Sequence, residues 1–198
     1  DKYNGTLRAR KSFFAFGDRI VALGSGLENG LPGSELHTTL FQNSIPDNVS
    51  DTFRTIADSL TIVCDRFGNA FFVKEALIAL SRGTQHSFHE ETGEPTSGRF
   101  EKAYIRHGSQ VKNGDYEYMA VIHATPEQIE EYMGEQPYAV VRCDLQAHIV
   151  EDKVSGTKGF AVFENIAEGD DELLAEATPS LIMYSCEDGK MTLSVSNP

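Results

Sequence analysis

The sequence predicts an all-β protein, a large antiparallel β-sandwich with one short helix. Three observations predict it. Short runs of β-forming residues are separated by turn residues along most of the 198 positions. The run Tyr116 to His123 alternates well, with Tyr116, Tyr118, Ala120 and Ile122 on one face and Glu117, Met119, Val121 and His123 on the other. Only one segment carries helix start and stop signals together. With 40% hydrophobic residues and twelve Phe, such a fold can bury a sizeable core.

The elements follow in order. Leu7 to Phe16 is the first strand, Gly17-Asp18 a tight turn, and Arg19 to Gly24 the second strand. Gly24-Ser25-Gly26 is expected to break that strand, and Glu28 to Gly33 to form a loop. Thr38 to Gln42 is rich in β formers. Leu60 to Cys64 and Ala70 to Val73 flank Asp65-Arg66-Phe67-Gly68-Asn69, a hairpin signal. The polar segment from Gly83 to Gly98 reads as a long surface loop or a ragged hairpin. Thr125 fits a helix N-cap, Pro126 the first helical position and Gln128 the third residue of a capping box; the helix should run to about Met133 and stop at Gly134. Tyr138 to Cys143 and Ala147 to Val150 form a meander. Gly159 to Phe163, Leu181 to Tyr184 and Met191 to Val195 complete the strands, the last two joined by the turn Glu187 to Lys190.

A net charge of -13 disfavours nucleic acid and anionic membranes as partners and confines any polyanionic ligand to a local basic patch. No apolar run approaches the length of a membrane-spanning helix. The opening Asp1-Lys2-Tyr3-Asn4 does not read as a signal peptide, so any targeting segment is expected outside this sequence. The stop at Asn197-Pro198, straight after a strand pattern, suggests a trimmed domain or a piece of a longer protein. Cys64, Cys143 and Cys186 give neither a zinc spacing nor a disulfide framework. They read as small buried core residues, with a Cys64–Cys143 bridge left open.

Chemistry-bearing constellations are few. His86-x-x-His89 lies in loop or strand context, where positions three apart point to opposite faces, so no metal site is expected. His107 and His123 end strand-like runs and read as hydrogen-bonded structural residues. Glu90-Glu91, Asp144 and Glu151-Asp152 are scattered carboxylates, and Gly169-Asp170-Asp171-Glu172 reads as a solvated turn rather than a calcium loop. Gly24-Ser25-Gly26 has neither the spacing nor the context of a nucleophile elbow. No phosphate loop or dinucleotide fingerprint occurs, and no cofactor is implied. The densest basic cluster is Arg8, Arg10 and Lys11. Arg8 and Arg10 should share a strand face, and guanidinium groups match sulfate or carboxylate bidentately, so these two are the candidate substrate-contact residues. No residue of the chain is a candidate catalytic residue.

The run from Lys11 to Leu27, KSFFAFGDRIVALGSGL, resembles the signature of polysaccharide lyase family eight, and Thr38-Thr39-Leu40-Phe41-Gln42 follows it as in that family. Further pieces agree in order, most of all with the broad-specificity chondroitin sulfate ABC lyases: Gly68 to Phe72, Glu94 to Phe100, Tyr104 to His107, Tyr116 to Met119, Ala124 to Glu127 and Gly159 to Phe163. Together they cover nearly the whole chain. The resemblance implies a supersandwich of the galactose-mutarotase-like kind. Residues 1–179 would be the later part of the central sandwich, and 180–198 its last strands, approaching a C-terminal β domain. It implies a secreted or periplasmic bacterial protein that cleaves chondroitin or dermatan sulfate, with hyaluronan as a further substrate class, by β-elimination. The catalytic His, Tyr and Arg of the family lie on an α/α-toroid that would be this chain's partner, and no segment here matches their motifs. One departure is visible: His37 stands where the family commonly has Glu. Two other classes compete. A stand-alone carbohydrate-binding module would expose aromatic platforms, yet the chain has no Trp and its Tyr116–Tyr118 pair reads as core. An independent hydrolase or mutarotase-like enzyme would need a convergent histidine–carboxylate cluster.

Overall fold

The computed structural model describes residues 5–166, 178–187 and 189–196. Among them are twelve strands and one helix. Strands β1 (Leu7–Phe16), β2 (Arg19–Asn29), β3 (Glu35–Ser44), β4 (Thr52–Cys64), β5 (Ala70–Phe88), β6 (Pro95–Ser109) and β7 (Gly114–Val121) build one antiparallel sheet. Its order is β1-β2-β7-β5-β6-β3, with β4 on the other edge of β5. After α1 (Pro126–Gly134), strands β8 (Tyr138–Cys143), β9 (Ala147–Asp152), β10 (Lys158–Val162), β11 (Ser180–Glu187) and β12 (Lys190–Ser196) form a second antiparallel meander.

Three apolar layers hold these sheets. Phe14, Phe16, Val21, Leu23, Phe72 and Met119 meet Tyr138, Val150 and Ala161 of the second sheet, with Tyr132 of α1 closing the end. The other face of the large sheet packs Phe41, Phe71, Ile78, Ile105, Tyr116 and Tyr118 together. The large sheet is therefore buried on both faces around β7, and the alternation predicted for Tyr116 and Tyr118 sorts residues between two cores. A third cluster, Ile149, Phe160, Val162 and Ile166, lies on the far face of the second sheet.

Local signals set the boundaries. Gly17 turns the β1–β2 hairpin at φ +61°. The Thr125 hydroxyl accepts from the Gln128 amide, and the Gln128 side chain accepts from the Thr125 amide, forming the capping box. Gly134 is the last helical residue rather than the stop, and Glu135 caps. The segment from Gly83 to Gly98 is a hairpin: β5 and β6 pair from Leu77↔Arg106 out to Phe88↔Pro95.

Some expectations are corrected. Gly24-Ser25-Gly26 does not break β2, which runs on to Asn29 and so takes in Glu28 and Asn29 as well. Its ladders shift register there instead, with Gly26 at φ +57°, so the glycines make a bulge rather than a stop. The cysteines are free thiols: Cys64 and Cys186 are exposed, not buried core residues, while Cys143 is half-buried against the core between the sheets, and no Cys64–Cys143 bridge forms. β7 ends at Val121, and His123 sits in a turn at φ +51°. The Gly169–Glu172 turn lies outside the described residues, as does Asp188.

Candidate functional site

The signature run places two buried polar networks between the sheets. Ser12 on β1 and Ser25 on β2 flank His148 of β9, which is fully buried. Ser12 Oγ lies 2.7 Å from Nδ1 and Ser25 Oγ 2.8 Å from Nε2. Ser25 Oγ also donates to the Asp144 carbonyl at 2.8 Å. With its single proton used there, it must accept from Nε2–H, so Nδ1 accepts from Ser12. Burial lowers the His148 pKa to about 4, which keeps the ring neutral. A serine beside a neutral histidine could act as a nucleophile, but a nucleophile must be reached by substrate, and Ser12 and Ser25 are only 7% and 4% exposed, with His148 fully buried.

The second network is Arg19 of β2 with Asp152 of β9, both buried, at 2.9 Å. Arg19 also reaches the Tyr132 hydroxyl, and Asp152 accepts from the Ser155 amide and hydroxyl.

The remaining singled-out residues are dispersed. Arg10 is engaged: its Nη2 pairs with Glu164 at 2.9 Å and its guanidinium lies over Phe163. Two steps along β1 from Arg8 to Arg10 oppose three along β2, so the extra bulge residue is in β2. β1 keeps its alternation, and Arg8 lies on the Arg10 face, exposed. His89 Nδ1 accepts from the Glu91 and Thr92 amides in a turn, while His86 is on β5. Among the described residues no group of three His, Cys, Asp or Glu could hold a metal. Glu90 and Glu91 are exposed at the hairpin tip. Asp144 pairs with Arg142 at 2.6 Å and accepts two backbone amides, and Glu151 lies 3.8 Å from Lys158. His123 meets the Phe67 carbonyl at 3.2 Å.

A polar cleft of about 330 Å³ opens where β5 changes partner. β5 pairs with β7 from Ala70 to Val73 and with β6 from Leu77 onward. Between them Glu75 takes φ +46°, costly for a residue with a Cβ. Lys74, Glu75, Arg106, His107, Tyr116 and Glu117 line the fork. Arg106 pairs bidentately with Glu35, and His37 lies 3.0 Å from the same carboxylate. These bonds, His37 first and Arg106 next, hold Glu35 below the usual carboxylate range. His107 bonds Thr38 at 2.8 Å, and burial lowers its pKa. Burial raises the Tyr116 phenol and pushes the Cys143 thiol up to about 11. Glu117 accepts from the Tyr138 hydroxyl at 3.0 Å and faces Lys74 at 3.6 Å. The fork thus offers paired charges and protonated acids, an arrangement for holding polar groups.

A family description, the super-sandwich domain of polysaccharide lyase family 8, matches residues 1–133. The chain belongs to polysaccharide lyase family 8. It is 33% identical over 207 residues to a chondroitin sulfate ABC exolyase of Proteus vulgaris, covering 98% of this chain and 20% of that protein. An exolyase of the same name from Bacteroides thetaiotaomicron is 34% identical over 166 residues, covering 83% and 16%. The chain therefore spans about a fifth or less of these curated relatives. Among solved structures, a chondroitinase AC lyase studied with oligosaccharides superposes with TM-score 0.78 at 21% identity, over 98% of this chain and 31% of that one. A Paenibacillus xanthan lyase gives 0.69 at 16%, over 99% and 21%. At such identities these two structures speak for the fold alone.

In this family 8 sandwich, the residues that sequence reading missed are those joined by register. His148 lay inside a predicted strand, but its two serine partners are more than a hundred positions away. The fork had one local signal, the polar Lys74-Glu75 directly after Ala70 to Val73. The partner switch itself has no signature in sequence.

Proposed function

We propose that this chain is the non-catalytic super-sandwich portion of a secreted or periplasmic bacterial glycosaminoglycan lyase. Residues 1–179 form the later part of the central sandwich, and 180–198 its last strands before a further β domain. The substrate class is chondroitin or dermatan sulfate, with hyaluronan as a further class. The full enzyme removes the proton α to a uronate carboxylate and breaks the glycosidic bond, with the acid–base groups on a helical toroid outside this chain. The carrying observation is the match to the family's super-sandwich domain in a chain spanning about a fifth of relatives named chondroitin sulfate lyases. The chain's own histidine–serine constellation supports the division of labour, because it is buried and locks sheet to sheet.

The test is ultraviolet absorbance. Elimination creates an unsaturated uronate, so the full-length enzyme should raise absorbance on chondroitin sulfate and the isolated chain should not. Turnover by the purified chain would overturn the assignment.

A further inference from the structure

Most arginines here face a carboxylate of the chain itself. Arg10, Arg99, Arg106 and Arg142 each have one within 3 Å. Arg8 and Arg54 differ: both are exposed and, among the described residues, make no ion pair or side-chain hydrogen bond, but only Arg54, on β4, shares a cleft with a second arginine. The β4–β5 register sets Arg54 opposite Leu80 and Thr52 opposite Arg82. Residues two apart on paired strands share a face, so Arg54 and Arg82 are diagonal neighbours.

Arg82 is held by Glu101, its partner across the β5–β6 ladder. Glu101 is buried, with one oxygen accepting the Arg66 amide at 2.9 Å and the other accepting Arg82 Nε at 3.2 Å. Only Nε of Arg82 is used, so its two Nη groups remain as donors, and the side chain is 49% exposed. Arg54 and Arg82 line one cleft of about 360 Å³, with the Thr52 and Ser81 hydroxyl-bearing residues beside them and Phe41 on its wall. Lys102 also lines the cleft, but its ammonium lies 5.1 Å over the Tyr104 ring. Cys64 at the rim adds no charge, because partial desolvation and the neighbouring Asp65 carboxylate raise its thiol pKa.

We propose that this cleft binds the sulfate or carboxylate group of an acidic saccharide, through Arg54 and the Nη groups of Arg82. The choice of saccharide rests on the lyase reading; the anion chemistry does not. Two guanidinium groups present planar donor pairs that match such oxyanions. With a net charge of -13, the remaining surface repels polyanions, so the contact is local and weakens as salt rises.

The experiment titrates the 198-residue chain at low salt with a chondroitin sulfate tetrasaccharide and with its unsulfated counterpart, following arginine Nε–H resonances by NMR. Saturable shifts of Arg54 and Arg82 are expected. Shifts with the sulfated sugar alone mark sulfate as the recognised group; shifts with both mark the carboxylate. Arg54→Gln should weaken binding about tenfold with unchanged Tm, as expected for one charge-assisted contact. Arg82→Lys, which keeps a cation beside Glu101, should weaken it by a similar factor. Absence of shifts at both arginines, or binding that survives Arg54→Gln, overturns the proposal. So does binding lost only in an Arg8→Gln, Arg10→Gln variant. Elimination by the full-length enzyme is scored separately: its absence, with Arg54-dependent binding intact, overturns the lyase reading and leaves the cleft.

Discussion

Lowering the pH from neutral to about 4 is expected to remove about 3 kcal/mol of stability through His148 alone. In the unfolded chain this ring titrates near 6.5, whereas in the fold burial lowers it to about 4. At 1.36 kcal/mol per pH unit the gap is worth about 3 kcal/mol. The sign follows from which state binds the proton. Between the two values the unfolded chain is protonated at this ring and the folded chain is not. Stability is therefore complete above about 6.5 and falls as pH drops, with the full loss reached below about 4. The structural cause is specific. Ser25 must use its proton on the Asp144 carbonyl, so the Ser12–His148–Ser25 chain has one arrangement of hydrogens. A second ring proton disrupts it in a place water does not reach.

Other carboxylates and histidines also titrate in this range, so the measurement is a difference. Urea unfolding of the wild type and of His148→Gln is compared at several pH values between about 7 and 4. The stability advantage of the wild type should shrink with falling pH, at up to about 1.4 kcal/mol per unit. A difference that stays flat across the range would refute the buried neutral histidine.

Two further perturbations probe the frame. Asp152→Ala leaves Arg19 charged, buried and unpaired, and should cost about 3–5 kcal/mol in urea unfolding. The Arg19→Met, Asp152→Leu double variant should recover most of that, and no recovery would mean that Asp152 acts mainly by accepting from Ser155. Glu75→Gly should stabilise the chain by about 1 kcal/mol, because glycine adopts φ +46° without strain. A loss of stability would show that the Glu75 side chain contributes to the fork.

What the sequence revealed depended on how local the cause was. The capping box at Thr125–Gln128 and the Asp65–Asn69 turn are made by neighbours in the chain, so their residues announce them. β1 was legible because one face is buried and the other exposed, which writes a period of two into the residues. The first half of β4 and the outer half of β5 are largely exposed; ladders hold them rather than burial, β4 to β5 as far as Arg82 and β5 to β6 out to Phe88. The second half of β2 was misread because glycine is both a strand breaker and the residue a bulge requires. Here a Cβ on Gly24 would sit 2.1 Å from the Tyr116 ring, a contact that forbids any larger residue. Arg54, Arg82 and Glu101 escaped notice because cations 28 positions apart look unrelated until the registers of β4, β5 and β6 are known.

The same reasoning explains what the side chains of the signature run do in this fold. Ser12 and Ser25 clamp His148, and Arg19 pairs with Asp152, both across the sheet interface. Asp18 accepts from the Gln128 side chain at 2.9 Å and so fixes the helix to the β1–β2 turn. Phe14, Phe16, Val21 and Leu23 fill the layer between the sheets. Each of these positions is committed to an internal partner, and a committed side chain cannot also meet a saccharide without costing the frame its stability. Ligand contact must therefore come from positions the frame leaves unsatisfied. Arg10 spends Nη2 on Glu164 and lays its guanidinium over Phe163, whereas Arg8, Arg54 and the Nη groups of Arg82 meet the condition, and of these Arg54 and Arg82 share one cleft.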